Sequence, residues 1–255
     1  MRRTLALTLS LVVVATASSP VLAGSAPAPD RSALVHAVGG CELFPADNPW
    51  NTRIDRRPVW RWSSAIVRKQ AAGHDLHLDL GTTEDHYGIP VNVVAWRAAS
   101  AARWDLSSNR LRPAGWTSAD AAGLQILPGL LSYEEAASGR ITHALRFTLP
   151  SARSAYTWPA RHCGPSGNTA RDLPAYGLRF RLARSFPARR YTGVARTIVV
   201  AMKTYGLVHS DQGSSMYVTG TSDPRWADAL DQFRARPVDG KSLEVVKPWR
   251  RVVTC

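Results

Sequence analysis

Acidic residues are almost missing from one long stretch of this chain. Ala136–Ser210 carries twelve Lys and Arg and a single acid, Asp172. Cysteine is scarce as well: Cys41, Cys163 and Cys255 lie too far apart for the paired short spacings of a structural zinc site. After residue 23 no apolar run is long enough to cross a bilayer, which excludes an internal transmembrane helix. The chain has no G-x-S-x-G, no H-E-x-x-H, no phosphate-binding loop and no protease-type Cys–His pair, so no motif names a reaction. It has no internal repeat, which excludes solenoids and propellers.

What is present begins with a leader. Met1-Arg2-Arg3 is a positive n-region, Thr4–Ala17 is apolar, and Val21-Leu22-Ala23 is a small-residue cleavage site, so residues 1–23 read as a secretory signal peptide. Its apolar run of about 14 residues falls short of the ~18–20 needed by a membrane anchor. Residues 24–40 then form a flexible lead-in, opening on the Pro- and Ala-rich GSAPAPD, and 41–255 suit a single globular domain. Without the leader the chain keeps 30 basic and 19 acidic residues, and the acid-poor stretch accounts for the whole surplus of 11. So local an imbalance predicts a one-sided field that attracts polyanions. The nine Trp serve equally as core or as flat sugar-contact surfaces. An oxidising destination favours one disulfide and one leftover thiol. Cys41–Cys255, tying the two ends of the domain, is the first choice, with Cys41–Cys163 close behind.

Periodicity places the elements. Pro58–Ala72 is a helix with Val59, Trp62, Ile66 and Val67 on one stripe, stopped by Gly73. Asp75–Leu80 alternates, with Leu76, Leu78 and Leu80 on one face and Asp75, His77 and Asp79 on the other. Gly88–Trp96 reads as a second strand. Ser132 and Glu135 form a capping box for a short helix. Ile141–Leu149 and Gly177–Leu182 are further strands, their outward positions occupied by Arg146, Arg179 and Arg181. Val194–Tyr205 is an amphipathic helix, and Leu207–His209 and Met216–Gly220 flank an SDQGS turn. A short helix over Pro224–Phe233 and a strand over Leu243–Val246 follow. Short alternating strands with helices interspersed and no βαβ rhythm predict an α+β domain: an antiparallel sheet or jelly-roll-like sandwich with a few short packed helices.

Seven blocks occur in order: PADNPWN, LHLDLG, YGIPVNVV, SNRLRPAGWTSADAAGLQILPGL, THALRFT, WPARH and KTYGLVHSDQGSSMYVTGTSDPRW. On these blocks the chain resembles an uncharacterised family of secreted bacterial proteins. The likeness covers most of the chain after the leader. It implies export and a shared fold, and no established activity, so no catalytic residue is carried over. Relatives carry a longer stretch, with acidic and aromatic residues, between the YGIPVNVV-like strand and the SNRLRPAGW-like block. Here Ala95–Ser107 alone joins them.

Candidate site residues each have a competing structural reading. His77 and Asp79, with Asp75, offer ligands for a divalent metal or an acid/base pair; a solvated strand face has the same pattern. His143 sits on the apolar side of a strand, as a cleft residue or a satisfied core histidine. His162 lies in a turn-rich loop beside Cys163, the kind of loop that carries binding residues. Asp211 either caps its turn or, with Asp79, makes a carboxylate pair. If the strands bearing Arg146, Arg179 and Arg181 share a sheet, their exposed face is a basic floor for a polyanion. The expected function is a secreted protein that binds or degrades an anionic extracellular polysaccharide or cell-wall polymer. As an enzyme it would be a polysaccharide lyase or glycoside hydrolase, with His143, His162, Asp79 and Asp211 as catalytic candidates. The alternatives are a non-catalytic polyanion- or glycan-binding module and, third, a secreted nuclease, which lacks any nucleic-acid motif.

Overall fold

The alternating apolar residues of six short strands meet on one side of a sheet, and the helices cover that side. The computed structural model describes residues 37–38, 41–81, 88–89, 91, 104–105, 110–111 and 119–255. The leader, most of the lead-in, most of the Gly88–Trp96 strand and the front of the loop before residue 119 lie outside the described residues, as does the side chain of Cys41. Leu34–Cys255 is one compact unit.

In chain order the elements are β1 (Ala37–Val38), β2 (Cys41–Glu42), α1 (Ser63–Gln70), β3 (His77–Asp79), β4 (Trp104–Asp105), β5 (Arg110–Leu111), α2 (Tyr133–Ala137) and β6 (Leu145–Leu149). They continue with β7 (Ala155–Tyr156), β8 (Arg179–Leu182), α3 (Gly193–Thr204), β9 (Leu207–Gln212), β10 (Tyr217–Thr219), α4 (Ala227–Ala235), β11 (Leu243–Val245) and β12 (Val253–Thr254). The main sheet runs β11-β8-β9-β6-β10-β3. It is mixed, not antiparallel as expected: β6 and β9 run parallel, as do β10 and β3. Alternation reports which face a side chain takes and nothing about strand direction. The two strands that flank the SDQGS turn do not pair with each other, because β6 lies between β9 and β10. The fold is single-domain α+β, and among the described residues the remaining pairings are two-stranded ribbons, with no second sheet to make a sandwich.

One face carries the main core. Leu78, Leu145, Phe147, Leu149, Phe180, Leu182, Leu207, Val218 and Leu243 are buried there against Ile66, Ile198, Met202 and Phe233 of the helices. The α3 stripe of Ala195, Ile198, Val199 and Met202 follows the helical period. Gly206 ends it at φ +75°, and a Cβ there would collide with the Phe180 carbonyl, so the position demands glycine. Ser132 caps α2 as the sequence indicates, accepting from the Glu135 N–H at 3.3 Å.

The opposite face is where expectation and structure part. Register places Arg179, Val208 and Arg146 side by side, so the three strand arginines do share a face. That face is roofed, however, and all three are buried, so they form no exposed basic floor. The segment Pro49–Arg57 lies over β8 and turns its carbonyls inward. Arg179 donates to Tyr205 O (2.7 Å) and Pro49 O. Arg181 donates to the carbonyls of Ile54 (2.6 Å), Asp55 (3.0 Å) and Arg57 (2.9 Å) and pairs with Glu244 at 3.0 Å. Carbonyls and Glu244 take the Arg181 donors, whereas Arg179 Nε meets no acceptor among the described residues and burial pulls that guanidinium down to about 9. The disulfide also differs: Cys255 bonds Cys163, not Cys41, and ties β12 and the chain's last residue to the loop after β7.

Arg181→Met is expected to destabilise the fold by about 3 kcal/mol, since three carbonyls and the half-buried Glu244 lose their donor. Urea unfolding measures this. An unchanged midpoint would show that the roof does not depend on Arg181.

Candidate functional site

Two regions gather side chains with chemical potential: the polar sheet face from β9 to β3, and a groove at the C-terminal end of the chain.

On the sheet face the register lays out two lateral rows. Asp79 on β3, Thr219 on β10 and Arg146 on β6 form one; His77, Tyr217, Thr148 and Asp211 form the other. Arg146 donates to Thr219 Oγ1 at 3.1 Å, and the His77 and Tyr217 rings stack at 4.1 Å. Asp211 reaches this face through a β-bulge. Phe147 pairs with His209 but Thr148 pairs with Asp211, leaving Ser210 as the extra residue.

Above Arg146 sits Asp120, which sequence reasoning missed. Its Oδ1 accepts from the N–H groups of Ala122 (3.3 Å) and Leu124 (3.1 Å), closing a tight turn, while Oδ2 lies 3.6 Å from Arg146 Nη2. The only sequence signal was its place before two alanines and a glycine, which marks a turn and no chemistry. Burial pushes its carboxyl up to about 6, against Arg146 and the two turn N–H groups, which pull it down.

The sequence candidates divide. His77, Asp79, Asp211 and Arg146 share the polar face. Asp79 and Asp211 are three ladder steps apart, about 14 Å between backbones, farther than the ~5–9.5 Å that separates the carboxyl groups of glycosidases. They do not form the expected carboxylate pair. Burial raises the Asp79 carboxyl, offset by nearby His77. Among the described residues no cluster of three or more His, Cys, Asp or Glu gathers to hold a metal. His143 is fully buried ahead of β6, contacting Ala144 O at 2.8 Å and Glu135 Oε2 at 3.2 Å, so it braces the α2 cap and lines no cleft. His162 is exposed and contacts Cys163 O at 3.0 Å. Its ring lies over the Asp120 turn: a Cβ on Gly123 would come within 3.2 Å of Nε2.

The second region is an open groove of about 500 Å³ lined by Trp60, Trp62 and Trp249 together with Arg61, Arg153, Arg171, Lys247, Arg250 and Arg251. No carboxylate lines it. Among the described residues none of these six cations takes part in an ion pair. The neighbouring acid, Asp172, is held by Lys69 at 2.7 Å. Arg61 and Arg171 each lie near the Trp62 ring, with guanidinium-to-ring distances of 5.7 and 5.9 Å. The acid-poor stretch supplies just two of the six cations; its other basic residues are roofed over, bound to carbonyls or spread elsewhere. The groove is instead assembled from three distant parts of the chain. Its C-terminal wall is held by the β12–β7 ladder, by Arg153 donating to Thr254 Oγ1 (2.8 Å), by Thr157 donating to Arg250 O (3.0 Å) and by the Cys163–Cys255 bond.

Compared with known protein families, with curated proteins and with solved structures, the chain finds no match.

Asp120 has a measurable cost. A carboxyl titrates near 4 in the unfolded chain and at about 6 here. Its contribution is therefore fully present below about pH 4 and is lost as pH rises through about 6. Fully buried His209 runs the other way, dragged down to about 4, so its contribution is present above about pH 6.5 and lost as pH falls through about 4. Asp120→Asn keeps an oxygen for the turn and removes the charge. It is expected to stabilise the protein by about 2 kcal/mol at pH 7.5, with the gain vanishing near pH 4 and a steeper acid loss exposed. Thermal midpoints from pH 4 to 8 check this; no gain at pH 7.5 would refute it.

Proposed function

We propose that this protein is exported and grips an acidic extracellular glycan or cell-wall polymer through the arginine–tryptophan groove. One observation carries the reading: six cations and three indoles face the same open groove without a carboxylate among them. Other arginines do meet carboxylates, as Arg181 meets Glu244 and Arg225 meets Asp223 and Glu134. A guanidinium stacked on an indole keeps its N–H edge free for bidentate contact with a carboxylate or phosphate. Indole faces add contact area for sugar rings. The groove is open, which suits a chain better than a small enclosed ligand. A nucleic acid shares the negative charge, but neither the sequence nor the groove offers a base-reading motif.

Arg61→Gln, Arg171→Gln and Arg250→Gln combined are expected to weaken binding to polygalacturonate at least about tenfold with the thermal midpoint unchanged. Wild-type affinity should fall steeply between low and moderate salt. Titration calorimetry against polygalacturonate, neutral glucan and single-stranded DNA separates the outcomes. Equal affinity for the neutral glucan, or a triple variant that binds like wild type, would sink the reading, and a preference for DNA would replace it.

A further inference from the structure

β3 ends the strand order of the main sheet, so one of its edges faces no strand of that sheet. In a parallel ladder alternate residues bond to the same neighbour. His77 N–H donates to Met216 O at 3.0 Å and Asp79 O accepts from Gly220 N–H at 3.1 Å, so these two residues turn their backbone groups toward β10. Leu78, between them, turns its N–H and C=O outward. At the start of that outer edge another segment does run antiparallel. Leu76 N–H donates to Val238 O and Gly240 N–H to His74 O, both at 2.9 Å. That segment leads back through Pro237 into α4, and so leaves the edge before it reaches Leu78. Among the described residues neither backbone group of Leu78 has a hydrogen-bond partner.

A groove of about 520 Å³ lies here, lined by every residue from Asp75 to Gly81, by Leu230, Phe233 and Arg234 of α4, and by Pro237. Successive residues of a strand point to opposite faces, so a groove that touches all of them follows the strand's edge. Its two margins differ in chemistry. On the helix side Leu78 and Phe233 belong to the main core and Leu230 packs against it. On the polar side stand His77 and Asp79. Asp79 is half-buried, burial raises its carboxyl, and among the described residues it has no hydrogen bond or ion pair. Arg234 already answers Asp231 at 3.0 Å.

We propose that this edge docks an extended peptide segment of another protein, which adds to β3 as an antiparallel strand and sets a lysine or arginine beside Asp79. Unpaired backbone groups along a groove are the template for strand addition. The antiparallel sense continues the one that Val238–Gly240 already takes along the same edge. A peptide residue opposite Leu78 exchanges both backbone bonds with it, and its side chain falls on the helix side, against Leu230 and Phe233. Its neighbours in sequence fall on the polar side. The one opposite Asp79 meets a carboxylate that is costly to keep half-buried and unpaired. The sequence that fits is therefore apolar–basic–apolar. This site shares no residue with the arginine–tryptophan groove and rests on no part of the polymer reading.

The test titrates the full chain, disulfide formed, with the peptide acetyl-Ser-Val-Lys-Val-Thr-amide. Its second valine is set opposite Leu78 and its lysine opposite Asp79, and the Leu78 amide is followed by NMR. Saturable binding is expected, with a shifted resonance and slowed exchange at that amide. N-methylation of the second valine removes the donor to Leu78 O and should weaken binding at least about tenfold. Glutamate in place of the lysine should weaken it about tenfold, and Asp79→Asn should remove most of that preference. The two peptide changes leave the protein unaltered, so a misfolded variant cannot obscure the result. No saturable binding, an N-methylated or glutamate peptide that binds like the parent, or an unmoved Leu78 amide overturns the inference. Sedimentation that finds paired chains which the peptide does not separate also overturns it, because a second copy then occupies the edge.

Discussion

The second face of the sheet depends on how two buried guanidinium groups are satisfied. Arg179 and Arg181 stand on β8 where an apolar residue would ordinarily meet a covering layer. A charge in that position is costly unless most of its donors find acceptors; Arg179 Nε alone among these donors has none. Pro49–Arg57 supplies those acceptors as backbone carbonyls, so an irregular segment serves as the covering layer. The same contacts satisfy carbonyls that a loop laid over a sheet would otherwise bury unpaired. Roof and arginines therefore require each other. Beyond β8, Val208 on β9 packs into a second, smaller core with Trp50, Ala122, Leu124 and Tyr176, and β10 and β3 present Thr219, Tyr217, Asp79 and His77 on the same face.

This division explains which parts of the protein were legible in its sequence. Alternation identified the core face correctly: Leu145, Phe147 and Leu149 lie where their period places them, and so do Phe180 and Leu182. It also put Arg146, Arg179 and Arg181 together on the reverse face. Alternation carries no information about exposure, since a charged residue facing away from one core is free to face a second layer. Strand direction was equally invisible. A hairpin between Leu207 and Gly220 satisfies the same pattern as the observed crossover, in which β6 inserts between the two segments.

The candidate sites were less legible because both are assembled by tertiary structure. The Asp211 carboxylate changes faces through one unpaired residue, Ser210, which no periodic reading detects. Asp120 looked like a turn residue and is one; its chemistry comes from Arg146, 26 positions later, and from the burial that the turn imposes. The groove draws Arg61, Arg171 and Arg250 from three distant parts of the chain. Local charge density in the sequence predicted one basic surface from the acid-poor stretch, but most basic residues of that stretch have structural or scattered positions. Pairing of Cys255 with Cys163 belongs to the same lesson: the bond anchors the groove wall and does not close the domain end to end.

Charge is handled in two opposite ways in this fold. In the groove six cations stand without a carboxylate among the lining residues, so solvent meets their charge. Asp120 instead meets one guanidinium at 3.6 Å, farther than a hydrogen bond, and burial holds its carboxyl up at about 6. That burial carries a stability cost at neutral pH, borne by a residue whose turn an asparagine would close as well.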